Sequence, residues 1–356
     1  MFDIEFFMKA HELKKSLMAG QKKPISEVLE SLESFRSREP IIYNIETTNA
    51  CNMKCEMCPR TTMMTRSVDT IDLETFKSVI SQIRPFSESQ LARWAEFVEM
   101  NYGIKRDEMS ENHFYLHIIP TVIQLHGYGD PLLDKNISLY VKMLSDKGFR
   151  TYFSCNPSNI NIEKMLEIFK SGLTYIKYSI ESTDDDRHRQ IRGEASDFTQ
   201  SYKKIIDLLE LKEKKALKTK IVITMLNLNK SWQMEEFEKL RKAFERLDVY
   251  VYLKSEDTMW YRKDYHCSKS IHWTEFCQHP WMSMTIKSNG EAVMCMEDFD
   301  NEIVLGDAKE EPLYDIWNGE KYRLFRKQHF DLTGRIRCTE RCDMKLVGEF
   351  LLKDTV

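Results

Sequence analysis

The sequence predicts an α/β fold, and three observations carry the prediction. Strand-like stretches alternate with helical ones between residues 41 and 254; those strands are short and apolar or mixed in composition; and the tail beyond them switches to a hairpin pattern. Strands separated by helices imply a parallel sheet. In barrel-like sheets of this kind, reactive residues collect on the loops after the strands' carboxyl ends.

Residues 1–39 read as a helical appendage, in which Pro24 and Ser26 open a segment whose Val28, Leu29, Leu32 and Phe35 share one face. From Pro40 to Lys254 strands are predicted at 41–46, 121–126, 149–154, 174–180, 219–226 and 248–254. Helices fall between them near 72–84, 135–147, 161–171, 198–213 and 231–246; in the last, Phe237, Leu240, Phe244 and Leu247 recur at helical spacing. Asp184-Asp185-Asp186 before Arg187 reads as a solvated helix start with favourable dipole placement. Residues 85–118 interrupt the alternation with a charged insertion that carries a helix around 87–100, and connections this long serve as lids or as decoration. Residues 255–276, mixed in aromatics, His and charge, read as a linker across the mouth of the sheet. Residues 277–356 are expected to form a small C-terminal domain, where WMSMTIKSNGEAVMC alternates around Asn289-Gly290, the dipeptide of a tight hairpin.

Composition narrows the function. At 356 residues the chain has room for one large domain and a smaller one. Lys+Arg 52 against Asp+Glu 56 leaves no field to attract nucleic acid or anionic lipid. No apolar run approaches the roughly 20 residues that span a bilayer, and the first residues lack the order of a signal peptide. A soluble, cytoplasmic protein with no nucleic-acid or membrane partner is expected. In that setting nine cysteines, an odd number with two tight groups, point to metal rather than disulfides.

The first group is Cys51, Cys55 and Cys58, a Cys-x3-Cys-x2-Cys cluster on the loop after the first strand. Iron–sulfur cubes normally take four cysteines, so three thiolates leave one iron open. An open coordination position is where catalytic metals work. The second group is Cys277, Cys295, Cys338 and Cys342. The hairpin brings the first two together, and the last two close the same site from a later loop. Four thiolates suit an electron-transferring or structural cluster, with a structural zinc as the lesser alternative. Cys155 and Cys267 read as ordinary thiols.

Together these residues resemble the radical S-adenosylmethionine (radical SAM) superfamily, with a C-terminal auxiliary-cluster extension of the SPASM or shorter twitch kind. Gly127-Tyr128-Gly129-Asp130-Pro131-Leu132 is similar to the family's Gly-Gly-Glu-Pro loop, whose backbone grips the methionyl amine. Ser179-Ile180-Glu181-Ser182 and Ile191-Arg192-Gly193 are similar to its Ser-x-Asp-Gly and Ile-Arg-Gly patterns. The tail, with Pro280-Trp281, Glu297-Asp298-Phe299, Leu305-Gly306-Asp307 and Ile316-Trp317 between its cysteines, follows a twitch or shortened SPASM order. Met57 stands where an aromatic is usual, Asp130 replaces Glu, and the Cys338–Cys342 spacing is one residue wider than in some relatives.

The resemblance implies a partial (β/α)6 TIM-like barrel with a small C-terminal SPASM/twitch β-hairpin-plus-helix domain. It implies a SAM-binding 4Fe-4S cluster on Cys51, Cys55 and Cys58, an auxiliary 4Fe-4S cluster on Cys277, Cys295, Cys338 and Cys342, and S-adenosyl-L-methionine as cofactor. Gly129, Asp130 and Pro131 would meet its amine end, Ser179 and Arg192 its carboxylate, and Glu181 would lie near the nucleoside; His126 and Tyr128 would face substrate or pack beneath SAM. Reductive cleavage of SAM, with electrons from a flavodoxin- or ferredoxin-type donor, would give a 5′-deoxyadenosyl radical that abstracts hydrogen. The layout is similar to that of an aminocyclitol (2-deoxy-scyllo-inosamine) dehydrogenase, so the expected substrate is a small sugar or aminocyclitol. Lys254, Glu256 and Asp257, at the end of the sixth strand, are the candidates for its acid or base. The alternatives are a maturase acting on a ribosomally made peptide, which usually brings a peptide-recognition domain and a second auxiliary cluster, and a non-catalytic iron–sulfur protein, which would need no SAM motifs.

Overall fold

The structure is a computed structural model that describes residues 1–21, 23–108, 110–254, 273–328 and 350–353. Among them, no helix is long and apolar enough to cross a membrane. The chain opens with α1 (Ile4–Met18) and α2 (Ile25–Phe35). The Asp3 carboxylate accepts the Phe6 N–H to start the first helix, and Val28 and Leu32 are the buried face of the second.

β1 (Ile42–Ile45) leads through α3 (Pro59–Thr62) and α4 (Leu73–Ser81) to α5 (Glu88–Tyr102), α6 (Glu111–His113), a π-helical turn at Phe114–Ile118 and β2 (Val122–Gln124). Strand and helix then alternate as α7 (Ile137–Asp146), β3 (Arg150–Cys155), α8 (Ile162–Lys170), β4 (Tyr175–Ser179), α9 (Asp185–Arg192), α10 (Phe198–Lys214), β5 (Lys220–Leu226), α11 (Gln233–Ala243) and β6 (Val249–Lys254). The helix starts follow side-chain chemistry. Asp72, Asn161, Asp184 and Asp197 each accept an N–H from the first turn of the helix they precede. Adjacent strands from β1 to β6 pair in parallel in sequence order, giving the predicted barrel-like sheet.

Two parts differ from the sequence reading. The tail contributes β7 (Trp273–Phe276), α12 (His279–Met282), β8 (Met284–Ile286), β9 (Glu291–Val293), β10 (Val304–Asp307), α13 (Leu313–Asn318), α14 (Glu320–Gln328) and β11 (Phe350–Lys353). Its hairpin does not stand apart: β8 pairs in parallel with β1, so among the described residues one sheet of nine strands runs β10-β9-β8-β1-β2-β3-β4-β5-β6. The 273–276 stretch, expected within a linker, forms a strand antiparallel to β11. Its four residues are too few to show a period; the pairing is made by a distant segment.

The 85–118 insertion is a floor rather than a lid. Trp94 of α5 is buried edge-on against Phe7, and its indole N–H donates to Leu116 O at 2.8 Å. Phe114 then packs between Tyr152 of β3 and Tyr252 of β6, beneath their strand-mates Ser154 and Lys254. The chain enters β2 from that side, opposite the carboxyl-end loops. At the other flank Trp281 donates to Glu33 and Trp317 to Ser37 O, both at 2.9 Å, fastening the N-terminal helices to the tail. Trp317 is fully buried, and truncating such a ring costs about 3–5 kcal/mol.

Candidate active site

The cysteine loop is held at both ends before any cofactor is considered. After β1, the Asn49 side chain donates to Ser67 O at 2.7 Å and accepts the Asp69 N–H at 2.6 Å, while the Thr48 hydroxyl bonds Asp69 O at 3.0 Å. Past Cys51, the Lys54 and Glu56 N–H groups donate to Arg192 O and Ile191 O, at 3.1 and 2.9 Å. The loop therefore closes the carboxyl-terminal end of α9, whose last carbonyls need donors. Gly193, at φ 98°, ends α9 close enough that a Cβ would lie 3.1 Å from the Lys54 nitrogen.

Cys51, Cys55 and Cys58 all line one cavity of about 490 Å³. Cys51 Sγ accepts the Met53 N–H at 3.4 Å, and Cys55 Sγ receives the Arg192 guanidinium at 3.6 Å. Burial raises the Cys51 thiol and pushes Cys58 up to about 11. Burial thus disfavours a bare thiolate at Cys51 and Cys58, and a bound cation would offset it. Among the described residues no three ligands already stand together as a metal-holding group.

The glycine loop after β2 presses on the cysteine loop backbone to backbone. A Cβ at Gly129 would meet Thr48 O at 2.2 Å and Asn49 Cα at 2.7 Å, and the Asp130 N–H donates to Ala50 O at 2.8 Å. Only glycine permits that approach. The buried Asp130 carboxylate accepts Leu132 N at 2.9 Å, Asn156 N at 3.1 Å and Asn159 Nδ2 at 2.7 Å. Burial raises its pKa, with those donors opposing. Pro131, also buried, opens the short turn that follows.

The remaining predicted residues divide between the cavity and its wall. Gly129, Asp130, Ser179, Arg192 and Lys254 line it with the cysteines. Glu181 is fully buried, paired with the Arg192 guanidinium and accepting the Leu226 N–H at 2.7 Å, and is not part of the lining. Burial opposes the charge on Arg192, but Glu181 and then Cys55 outweigh it and raise its pKa. Arg192 Nε is buried without a protein partner, a donor left over beside the cavity. Glu256, Asp257, Cys338 and Cys342 lie outside the described residues.

Cys277 and Cys295 are both buried. Each accepts an N–H from two residues ahead, His279 at 3.2 Å and Glu297 at 3.5 Å, the same turn seen at Cys51. Hydrogen bonds of this kind to sulfur tune iron–sulfur sites. The β8–β9 pairing of Thr285 with Val293 brings together the two strands beyond whose ends Cys277 and Cys295 lie, Cys277 one short helix before β8 and Cys295 two residues after β9.

Several cavity residues had little or no sequence signal. Cys155 and Ser154 reach it from the end of β3, and Met296 and Glu297 from beyond β9. Tyr128 donates to Glu297 Oε2 at 3.0 Å, joining the glycine loop to the tail. His126 accepts the Ser154 N–H on Nδ1 at 3.3 Å, which leaves the proton on Nε2. Burial, then Lys177 and Lys254, hold its pKa to about 3, so it faces the cavity as a neutral donor.

Comparison with known proteins agrees with this architecture. Residues 45–242, more than half of the chain, match the radical SAM superfamily, and residues 277–343 match the SPASM iron–sulfur cluster-binding domain. Solved structures similar to the chain include native anSMEcpe with bound AdoMet, 13% identical over 81% of this chain and 83% of that one, TM-score 0.51. SuiB of Streptococcus suis bound to precursor peptide SuiA is 14% identical over 90% of this chain and 79% of that one, TM-score 0.51. BtrN in complex with AdoMet and 2-DOIA is 16% identical over 85% of this chain and 92% of that one, TM-score 0.46. No functionally curated protein matches. At these identities the solved structures speak to the fold alone. The family matches identify the chain itself: it belongs to the radical SAM superfamily and carries a C-terminal SPASM domain.

Proposed function

We propose that this chain is a radical SAM oxidoreductase that dehydrogenates a small polar substrate, a sugar or aminocyclitol, and the observation that supports it is the convergence of Cys51, Cys55, Cys58, Gly129, Asp130, Ser179, Arg192 and Lys254 on one cavity of about 490 Å³. That volume falls in the range of small-molecule sites, about 300–1,000 Å³. A 4Fe-4S cluster with SAM on its open iron supplies, on one-electron reduction, a 5′-deoxyadenosyl radical able to take hydrogen from carbon.

In this reading Cys51, Cys55 and Cys58 hold that cluster and the backbone around Gly129 receives the methionyl amine. Ser179 and Arg192 bind its carboxylate, the spare Arg192 Nε–H being available for it, while Glu181 holds the guanidinium in place. Oxidising a secondary alcohol to a ketone removes one hydrogen atom, one electron and one proton. Cys277 and Cys295, with Cys338 and Cys342, would hold an auxiliary cluster, which would supply the acceptor for that electron. Lys254, at the end of β6, takes the hydroxyl proton once its ammonium has released its own proton to solvent, and the His126 Nε2–H bonds the substrate oxygen. A flavodoxin- or ferredoxin-type protein supplies the reducing electron.

The test is anaerobic reconstitution, iron analysis, and incubation with SAM, dithionite and carbon-deuterated polyols or aminocyclitols. About eight irons per chain, 5′-deoxyadenosine release and deuterium in that product are expected. No SAM cleavage overturns the enzyme reading, and deuterium arriving from short peptides but from no polyol overturns the substrate class.

A further inference from the structure

Glu46, the residue after β1, has no part in the proposed chemistry, yet it is fully buried and heavily bonded. Arg66 clamps it with two N–H···O bonds, Nη1 to Oε2 at 2.7 Å and Nη2 to Oε1 at 2.6 Å. Its Oε1 also accepts the Tyr128 N–H at 3.0 Å. Its Oε2 accepts the Ser288 N–H at 3.2 Å and the Ser288 hydroxyl at 3.1 Å. One carboxylate thus bonds the segment returning from the cysteine loop, the glycine loop, and the turn of the tail's β8–β9 hairpin.

The surroundings leave that carboxylate little freedom. A Cβ on Gly127 would lie 2.2 Å from Oε1, so the glycine loop rests directly on it. Lys287, buried beside it, donates to Met296 O at 2.9 Å and sits 5.5 Å from the centre of the Tyr128 ring. Burial opposes the charge on Glu46, but Lys287, Arg66 and the Tyr128 N–H outweigh it and hold the carboxyl at about 2. It stays ionised at any working pH. A buried carboxylate so paired is costly to disturb and fixes the groups it bonds.

We propose that Glu46 is a positioning residue through which the hairpin turn Lys287–Ser288 sets the affinity of the glycine loop for SAM. The glycine loop, whose Tyr128, Gly129 and Asp130 line the cavity, is held at the Tyr128 N–H by this carboxylate, and its Oε2 is held in turn by Ser288. The proposal rests on the reading that this loop receives SAM.

The experiment compares wild type, Glu46→Gln, Ser288→Ala and the double variant as reconstituted full-length protein. SAM binding is measured by equilibrium dialysis and by the change in the reduced cluster's EPR spectrum, with iron content and melting temperature alongside. Glu46→Gln keeps the shape and removes the charge, and charge-assisted hydrogen bonds are the strong ones, so the Kd for SAM should rise about tenfold or more. Ser288→Ala removes one hydroxyl and should raise it about threefold. The double variant should match Glu46→Gln alone, because Ser288 acts through Glu46. The KM for SAM should rise with Kd, while the cleavage rate at saturating SAM changes less than about twofold.

Cluster-replete Ser288→Ala with wild-type SAM affinity would overturn the proposal, even if Glu46→Gln fails to fold. Additive effects in the double variant would overturn the coupling through Glu46. Wild-type protein that loads clusters yet binds no SAM would instead sink the reading of the site, and this proposal with it.

Discussion

Replacing Gly129 by alanine tests the contact between the two loops most directly. The added Cβ would stand 2.2 Å from Thr48 O, more than 1 Å short of the ordinary contact distance of 3.4 Å, and its next neighbours are Asn49 Cα at 2.7 Å and Ala50 O at 2.8 Å. All three are backbone atoms, and the loop carrying them is tied through Asn49 to Ser67 and Asp69. No side chain can swing away to relieve the clash. The glycine loop must retreat by about 1 Å, and overpacking of this sort costs about 1–3 kcal/mol. Misplacing reacting groups by about 1 Å lowers rates about 100-fold. Single-turnover release of 5′-deoxyadenosine, with iron content and melting temperature measured on the same samples, reads both effects. Gly306→Ala is the control: its Cβ would meet the Ile316 side chain at 2.7–3.0 Å, away from the cavity, so it should lose stability and keep SAM cleavage. A folded, cluster-loaded Gly129→Ala protein that cleaves SAM within about threefold of wild type would refute the packing argument.

Cys55→Ala should abolish SAM cleavage, whereas Cys295→Ala should spare it, lower iron from about eight to about four per chain, and stop substrate turnover; equal loss in both would remove the division of labour. Arg192→Gln leaves the buried Glu181 carboxylate without its ion pair, and breaking such a pair costs about 3–5 kcal/mol; chemical denaturation and SAM binding should both suffer, and an unchanged unfolding midpoint would argue against the pair. For Glu46 the folded carboxyl titrates at about 2, below the ordinary 4.5, so its stabilisation is full above about pH 4.5 and is lost as pH falls toward 2. Glu46→Gln should flatten that acid limb of the unfolding midpoint, and an unaltered limb would show that the carboxylate is not held as the structure has it.

The parallel strands were legible because each is a short run of β-branched and aromatic residues between helices whose starts are marked by Asp72, Asn161, Asp184 or Asp197. The cysteine spacing and the Asn289-Gly290 turn were legible for the same reason: their geometry is local. What the sequence hid is long-range. That β8 would pair with β1 is written in neither strand, since a three-residue run such as Met284–Ile286 fits any parallel or antiparallel neighbour. Glu46 reads as an ordinary polar residue at a strand end until Arg66, Tyr128 and Ser288 are seen around it. The insertion's length left a lid and mere decoration equally open, yet its Trp94 and Phe114 are buried, and those aromatics were the signal for a packed floor. Glu181 was expected near the nucleoside on motif spacing alone, which cannot show that a neighbouring guanidinium has already engaged it.

The placement of β8 beside β1 also bears on how the molecule is made. Residues 42–45 leave the ribosome long before residues 284–286, so the outer edge of the first strand stays unpaired through most of synthesis. Contacts so distant in sequence close slowly, and an open strand edge is a template for pairing with other chains. The Glu46 carboxylate waits equally long for Ser288. A chain cut after Lys254 would keep every strand of the parallel barrel and still be an unfinished fold, prone to self-association, because its first strand is completed by β8, beyond the cut.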